Sequence, residues 1–498
     1  MTAARPAGAL QRLARQSTIY AVGNVAAKAS GLLIVPLYLN LLPQADYGYL
    51  GLLTAIAVVA VPLAGFGLTT GLLTFLAAPD AGPEARRALP FTTLAVSAAA
   101  ALAVFGLFWA LAEPVAGLVL DDRARAGLVR LTGAYVAAKV LAATPLMLIR
   151  AGERAGLYVA ASVVETLLLA GGTYVSMAVY GLGLAGAVGA LALSAGASAA
   201  VLTAGALARV EWVLDRRLVA KLVRFGAPLA LSAVALPVVH VGDRFVLKAL
   251  AGAEEVAVYD LAARLAGLLN MLVVQSFQQA FAVVGLKELR EGGDFFRRTF
   301  RHYAVGAGGA VLGVSLFARD VIALVSPGAA YLRADPMVFV LSLGFLAYGL
   351  YIVFANVLYA ATATRAVALA LVLAVAVNMA LNLLLVPALG GLGAALATLA
   401  AYAGMAAMTA FAADRRTHIA YPWSALAVCL GLVVVLWGVS LVSAGWALAP
   451  RLAFRAALVA AYLPLVLAAG VYGRAEVRAL LRDAGRRLGL GRPPVGGR

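Results

Sequence analysis

The sequence predicts an all-α polytopic membrane protein with about 14 transmembrane helices. Of its 498 residues, 64% are hydrophobic and only 12% are charged, whereas an average soluble domain carries about 25% charged residues. Fourteen helices of about 22 residues would use about 308 residues, which is close to the number of apolar residues in this chain. This arithmetic excludes a soluble enzyme, a disordered protein and a nucleic-acid-binding domain.

Apolar segments long enough to cross a bilayer follow one another along the chain, separated by short connections that contain Gly, Pro or charged residues. The first of these segments is too long for a signal peptide and lacks a cleavage site. We predict fourteen spans, at residues 17–41, 49–77, 88–111, 127–149, 155–180, 182–208, 225–249, 256–284, 302–325, 336–361, 366–387, 389–412, 423–447 and 453–472.

Lys and Arg residues are distributed unequally between the two sides of this predicted membrane. By our assignment, 27 lie on the side that holds the N-terminus and 8 lie on the other. Because positively charged loops stay in the cytoplasm, we predict that both termini are cytoplasmic. The net charge of +17 then needs no nucleic acid as a partner. The basic C-terminal tail is expected to rest on anionic lipid headgroups, with docking to a protein as the alternative.

Two short similarities at nearly the same spacing indicate an internal repeat. Gly183 and Gly186 match Gly390 and Gly393 at an offset of 207 residues, and residues 46–50 match 255–259 at an offset of 209. Six spans per copy keep both copies in the same orientation, so the axis between them is a pseudo-two-fold along the membrane normal. Two such lobes are typical of alternating-access transporters. The predicted parts are a cytoplasmic N-tail (1–16), an N-lobe (17–208), a cytoplasmic linker (209–224), a C-lobe (225–412), two further helices (423–472) and a basic cytoplasmic tail (473–498).

Seven of the charged residues within the predicted spans are candidates for function, and their depth separates them into two groups. Lys28, Lys139 and Glu165 lie near the middle of the bilayer, where each costs roughly 2.5–3.5 kcal/mol unless it faces a partner or water. Lys139 and Glu165 are predicted either to form a pair that joins two helices or to serve transport. In the second case, the lysines would bind an anionic headgroup as point charges.

The other four charged residues are Asp243, Arg244, Asp260 and Arg264, near a tight outer turn between the seventh and eighth spans. The last two are spaced i,i+4 and can pair within one helix. The pattern leaves three roles open: a salt-bridge cluster or gate, substrate contact, and cation coupling through a carboxylate, for which Glu165 is also a candidate. Polar candidates for cavity or sugar contacts, or for hydrogen bonds between helices, are Asn24, Gln275, Gln278 and Asn378.

Several short motifs occur in a fixed order. Ile34-Val35-Pro36-Leu37-Tyr38-Leu39 precedes Asp46-Tyr47-Gly48-Tyr49-Leu50, and Phe225-Gly226-Ala227-Pro228-Leu229 precedes Gly242-Asp243-Arg244-Phe245. In these motifs the chain resembles the polysaccharide (O-antigen-type) flippases, a polysaccharide biosynthesis transporter family of the multidrug, oligosaccharidyl-lipid and polysaccharide exporter superfamily. The similarity runs from about residue 15 to 470. One departure is Ala257, where the family usually has Gly; we expect close packing at this position.

The resemblance implies a two-lobed fold with a cationic central cavity. It implies a flippase that moves an undecaprenyl-pyrophosphate-linked oligosaccharide from the cytoplasmic to the periplasmic leaflet of the bacterial inner membrane by alternating access. Lys28, Arg244 and Arg264 are then candidates for binding the pyrophosphate, to which we add Lys139 for its depth. We expect membrane lipids and polysaccharide polymerase or ligase machinery as further partners. We expect neither catalysis nor a cofactor or metal.

Two other functions compete with this interpretation. A cation-coupled multidrug exporter of the same superfamily would favour an acidic, aromatic-lined cavity, whereas two of the three deepest charges here are lysines. A membrane glycosyltransferase or polymerase usually has a large outer loop with catalytic residues, whereas the longest outer loops here have about 15 residues, as at 112–126. The sequence has no Walker motif, so ATP is not expected to drive the process directly.

Overall fold

The computed structural model describes residues 34–78, 82–279, 281, 293–326, 328–473 and 476, and every regular element in these ranges is helical. Short 3₁₀ or π turns continue several of the helices. In chain order the α-helices are α1 (Val35–Leu41), α2 (Gln44–Ala64), α3 (Leu68–Ala77), α4 (Pro83–Ala110), α5 (Ala112–Val119), α6 (Ala126–Ala151), α7 (Ala155–Tyr174), α8 (Gly183–Leu207), α9 (Arg216–Val241), α10 (Asp243–Ala251), α11 (Ala253–Leu269), α12 (Asp294–Val325), α13 (Ala334–Ala360), α14 (Thr364–Leu389), α15 (Gly391–Thr417), α16 (Trp423–Ser440) and α17 (Leu448–Ala468).

Thirteen helical stretches in the described ranges are long and apolar enough to cross a bilayer. They correspond to the second through fourteenth predicted spans, so the prediction of an all-α polytopic membrane protein is confirmed. The seventh span differs in detail, because α9 ends at Val241 and α10 begins at Asp243 after a break at Gly242. Most of the first predicted span lies outside the described residues.

A break between α2 and α3 explains the glycine in the Phe225-Gly226-Ala227-Pro228-Leu229 motif. Phe66 and Gly67 both adopt left-handed backbone conformations, with φ of 47° and 57°, which suits glycine best. Gly226 of α9 packs directly against this break: a Cβ atom on it would lie 1.9 Å from the carbonyl oxygen of Phe66. Only a residue without a side chain allows α9 to approach this closely.

The chain divides into two compact units that are not continuous in sequence. The first unit comprises the described parts of residues 1–265, 320–341 and 368–405, and the second comprises those of 266–319, 342–367 and 406–498. Helices α11 to α15 contribute residues to both units. The lobe boundaries drawn from the sequence stay a prediction.

Within the first unit, positions that are equivalent in the predicted repeat lie against each other. A Cβ atom on Gly48 would lie 1.9 Å from the carbonyl oxygen of Ala253 and 3.3 Å from the backbone nitrogen of Ala257. One turn further along α2, a Cβ on Gly51 would lie 3.4 Å from Cγ of Asp260. Contact between a position and its own equivalent is the pattern expected next to a two-fold axis. Ala257 is fully buried in this contact.

The repeat also appears as a duplicated ion pair in the first unit. Asp46, in the first turn of α2, accepts a hydrogen bond of 2.8 Å from Arg125. Glu255, in the first turn of α11, accepts one from Arg333. Each arginine is at the end of a 3₁₀ turn that leads directly into a long helix, α6 or α13. The carboxylates are 209 residues apart and the arginines 208, so the same contact is formed once in each half.

In the second unit, four aromatic side chains form one cluster. Phe300, Phe354, Tyr421 and Trp423 have ring centroids between 5.0 and 6.3 Å apart. Tyr and Trp rings prefer the level of the lipid headgroups, where one end of the side chain is apolar and the other is hydrated. We call this group the interfacial aromatic cluster.

Candidate functional site

Asp260, on α11, is the centre of a buried ion network in the first unit. One of its carboxylate oxygens accepts hydrogen bonds from Nε and NH2 of Arg244, at 3.0 and 2.9 Å. The other accepts a hydrogen bond of 2.6 Å from Nε of Arg264, one turn along the same helix. Asp260 is 2% exposed. Its charge is therefore compensated by two cations inside the protein, as a buried carboxylate requires.

Asp243, the first residue of α10, continues the network towards α15. Its side chain accepts hydrogen bonds from the hydroxyl of Tyr259, from the hydroxyl of Thr398 at 3.3 Å and from the backbone nitrogen of Arg244 at 2.9 Å. Thr398 in turn accepts a hydrogen bond of 3.3 Å from the amide of Asn378. Asn378 is 3% exposed. This candidate for sugar contact is therefore buried, and it forms a hydrogen bond between two helices.

The two arginines of the network differ in how much of each side chain is exposed. Arg244 is 8% exposed and also donates to the carbonyl oxygen of His240 at 3.0 Å. The side chain of Arg264 is 28% exposed, and its guanidinium carbon lies 6.0 Å from the ring centroid of Tyr47. Arg264 follows the start of α11 by 11 residues, which is about 16 Å along the helix, or near the middle of a hydrocarbon core of about 30 Å.

Lys139 and Glu165 form a second intramembrane ion pair. Nζ of Lys139, on α6, lies 2.5 Å from Oε1 of Glu165, on α7, and the side chains are 33% and 18% exposed. The ammonium is also 5.9 Å from the ring centroid of Tyr135. The structure thus brings these two candidates together. The two roles considered for this pair, packing between helices and transport, both stay predictions.

The remaining candidates divide between described and undescribed parts of the chain. Lys28 and Asn24 lie outside the described residues. Gln275 is partly buried and Gln278 exposed, and both follow the π turn that continues α11 in the second unit. Among the described candidates, the three cations are matched by three carboxylates, so their formal charges cancel.

Several residues of the network were not singled out from the sequence. The reasoning followed charged side chains and missed the hydroxyls of Tyr259 and Thr398, which complete the shell of Asp243. It also missed the contact of Tyr402 with Nδ1 of His240 at 2.5 Å. Outside this network, the Arg333 partner of Glu255 had a sequence signal, because it follows Arg125 by 208 residues, midway between the repeat offsets of 207 and 209.

On the predicted outer side, a polar contact joins α10 to the loop after α5. Nζ of Lys248 lies 2.6 Å from Asp121 and also donates to the carbonyl oxygen of Leu118 at 2.9 Å. The hydroxyl of Tyr49 donates to the same carboxylate at 3.2 Å. The hydrogen bond from Lys248 lowers the pKa of Asp121 below its ordinary value of 3.8. The contact lies at the surface, since the side chain of Asp121 is 59% exposed.

A wide apolar cleft opens beside the ion network. It has a volume of about 850 Å³ and is lined almost entirely by aliphatic and aromatic residues of the first unit. Its wall includes Ile56 of α2, Phe108 of α4, Val241 of α9 and Gly242, which directly precedes Asp243. Apolar space and buried charge therefore meet at the break between α9 and α10.

Comparisons with known proteins agree with this architecture. The family model for "Polysaccharide biosynthesis protein" matches residues 13–282, which is more than half of the chain. No curated protein sequence matches. Among solved structures, the chain is similar to lipid II flippase MurJ in an inward closed conformation, with 12% identity and a TM-score of 0.74 over 92% of this chain and 99% of that one.

Two further solved structures are similar to the chain. One is an inward-facing multidrug resistance MATE family transporter of the MOP superfamily, with 14% identity and a TM-score of 0.68 over 80% of this chain and 98% of that one. The other is a MOP superfamily transporter from Pyrococcus furiosus, with 14% identity and a TM-score of 0.58 over 81% and 95%. At these identities the likeness shows a shared fold.

The helical membrane fold, with charged residues held inside it, is that of a polytopic membrane protein and is shared with the flippase and the exporter to which the chain is similar. The match to the family model makes the assignment more specific. The chain belongs to the polysaccharide biosynthesis protein family. The resemblance seen in its short motifs is thereby confirmed.

Proposed function

We propose that the protein flips an undecaprenyl-pyrophosphate-linked oligosaccharide from the cytoplasmic to the periplasmic leaflet of the bacterial inner membrane. A pyrophosphate and the hydroxyls of several sugars cannot cross hydrocarbon unaided. A polar pathway that opens alternately to each side removes most of this barrier for the headgroup, while the polyprenyl chain stays in apolar surroundings. Both termini lie in the cytoplasm, and polymerase or ligase machinery takes up the product on the other side.

The observation that carries this proposal is the setting of Arg264. Its side chain is partly exposed near mid-membrane, and Nε is fixed by Asp260 at 2.6 Å. No residue in the described ranges accepts a hydrogen bond from its NH1 or NH2. A guanidinium held by one edge presents its other donors to phosphate oxygens in the fork geometry that suits them. We propose that Arg264 and Lys28 contact the pyrophosphate and that the enclosed Arg244 positions Asp260.

The second ion pair has a related role in this proposal. The ammonium of Lys139 is one-third exposed and has a single carboxylate partner, Glu165. An incoming phosphate competes with that carboxylate for the lysine, and Glu165 then becomes free to take up a cation. Asp243 and Asp260 have all of their oxygens engaged, so Glu165 is the better candidate for ion coupling.

The apolar cleft supports a substrate that is part lipid. A volume of about 850 Å³ bordered by aliphatic and aromatic side chains suits isoprenoid units, which have no polar group that such a wall would leave without a hydrogen bond. Gly242 in its wall is adjacent to Asp243, so an amphiphile could place its chain in the cleft and its headgroup at the charged network.

The proposal is tested by leaflet exchange in liposomes. The protein is reconstituted with a fluorescent undecaprenyl-pyrophosphate oligosaccharide, and exchange is followed for the wild type, Arg264→Gln, Lys28→Ala and Lys139→Met. Loss of a hydrogen bond to a charged group costs about 1.5–3 kcal/mol, so we expect Arg264→Gln to slow exchange by about 10- to 100-fold. The exposed Arg86→Gln is the matched control and should retain the wild-type rate.

Exchange that is unaffected by Arg264→Gln and Lys28→Ala would refute the assignment of these cations. Wild-type protein that moves no lipid-linked sugar but exports a lipophilic cation dye would refute the flippase itself. That second result would favour the cation-coupled multidrug exporter.

A further inference from the structure

The second unit contains a basic pocket that shares no residue with the candidate site. It has a volume of about 330 Å³, within the usual range for small-ligand sites. Three of its lining residues are arginines from the first two turns of α12, and two are acids. The lining consists of Asp294, Arg297, Arg298, Arg301, Pro422 and Glu476.

Two of the arginines are only weakly engaged by the protein. NH1 of Arg297 lies 3.5 Å from the carboxylate of Asp294, which is 85% exposed. Nε of Arg298 lies 3.4 Å from the carbonyl oxygen of Asp294. Both distances are at the long limit of hydrogen bonding. Most donors of these two guanidinium groups therefore remain available at the pocket.

The third arginine forms the fixed wall of the pocket. NH2 of Arg301 lies 2.5 Å from Glu476, and its guanidinium carbon is 4.8 Å from the ring centroid of Tyr472. The hydrogen bond from Arg301 lowers the pKa of Glu476, so this carboxylate stays charged at neutral pH. Nε of Arg301 is buried and has no acceptor within the described residues. With three arginines and two acids, the lining has a net positive charge.

The pocket lies where a membrane protein meets lipid headgroups. The start of α12, the connection before α16 and the segment after α17 all belong to the predicted cytoplasmic side. Helix α12 has 32 residues and is about 48 Å long, so it extends well beyond a hydrocarbon core of about 30 Å. The interfacial aromatic cluster adjoins the pocket, since Phe300 lies between two of the arginines in sequence and Trp423 follows Pro422.

We propose that this pocket binds the phosphate of an anionic phospholipid from the cytoplasmic leaflet. Arg297 and Arg298 grip the phosphate oxygens through paired N–H donors, and the acyl chains run down past Trp423, which is 50% exposed. The C-terminal segment of the chain is itself rich in arginine and would be repelled by the same charges. The bound lipid would bridge α12 to the segment that carries Glu476.

The test is a lipid titration of the purified full-length protein followed by native mass spectrometry. The probes are phosphatidylglycerol and the zwitterionic phosphatidylcholine. The site variant is Arg297→Gln/Arg298→Gln, and the control is Arg415→Gln/Arg416→Gln, an adjacent pair at the end of α15 with the same loss of charge. We expect one phosphatidylglycerol to bind at least tenfold more tightly than phosphatidylcholine. The site variant should lose that preference and the control should retain it within about twofold.

Three outcomes would overturn the proposal. These are equal losses in the site variant and the control, equal binding of both lipids, and displacement of phosphatidylglycerol by an equal concentration of inorganic phosphate. The last would assign the pocket to free phosphate instead. If the double variant fails to fold, Arg298→Gln alone is used, because that side chain makes a single long contact; a wild-type affinity in this variant would also count against the proposal.

Discussion

Replacing Asp260 by Asn should destabilise the first unit strongly, because one carboxylate neutralises two buried arginines. The substitution keeps the shape of the side chain but removes the charge that Arg244 and Arg264 share. The amide of Asn would also present an N–H group to one of the two guanidinium donors. Both cations would remain inside the membrane with only Asp243 to offset them.

The magnitude follows from the distances in the network. Nitrogen–oxygen separations of 2.9 and 2.6 Å put the charge centres about 4 Å apart, where one pair attracts by about 4 kcal/mol at an effective dielectric constant of 20. Asp260 forms two such pairs, but the cost of removing the charges from water offsets much of the gain. Breaking a buried pair by removing one partner costs about 3–5 kcal/mol, which we expect for Asp260→Asn.

The assay is unfolding of the detergent-solubilised protein for a set of related variants. Arg244→Gln in the Asp260→Asn background removes one of the unmatched cations and should restore part of the lost stability, whereas the exposed Arg86→Gln in that background should restore none. Asp260→Asn with wild-type stability would refute the reasoning. So would a double variant that is no more stable than Asp260→Asn alone, since the destabilisation would then come from lost packing.

Two further predictions concern contacts of the first unit. Gly48→Ala would place a Cβ 1.9 Å from the carbonyl oxygen of Ala253, so we expect a loss of about 1–3 kcal/mol from overpacking in thermal unfolding; Gly51→Ala, with 3.4 Å of space, should lose much less, and equal losses would contradict the prediction. Because Lys248 lowers the pKa of Asp121, their contact stabilises the fold above the ordinary pKa and is lost as pH falls through the lowered value. The wild type should therefore unfold at a higher temperature than Asp121→Asn at pH 7, and the difference should shrink as the pH falls below 3.8 and through the lowered pKa; a constant difference would count against it.

Most of the fold could be predicted from the sequence, because a bilayer leaves the backbone few options. A segment in hydrocarbon must satisfy its own hydrogen bonds, so apolar length alone locates helices. The break at Gly242 was missed, because the apolar residues on both sides of it were assigned to one continuous span at 225–249. The repeat was visible at 46–50 and 255–259, but the Arg125 and Arg333 ion pairs needed the three-dimensional contacts.

The charged residues of the candidate site could be predicted from the sequence, but their roles could not. Spacing of i,i+4 foretold the contact between Asp260 and Arg264, and equal depth suggested that Lys139 and Glu165 could meet. Sequence could not tell which arginine is enclosed, because that depends on how α9, α10 and α11 pack laterally. Nor could it supply Thr398, which reaches Asp243 from a helix more than 150 residues away.

The contact between Gly51 and Asp260 shows what a fused chain can do that a symmetric dimer cannot. Two separate, identical halves would place the same residue on both sides of the axis. A pair of aspartates would then face each other and repel, and a pair of glycines would leave no charge there at all. Once both halves belong to one polypeptide, the two sides can diverge, and a carboxylate can occupy the space that a glycine leaves. The charged centre of this protein is thus asymmetric within a symmetric frame, and a substrate with two different ends can be held in one orientation.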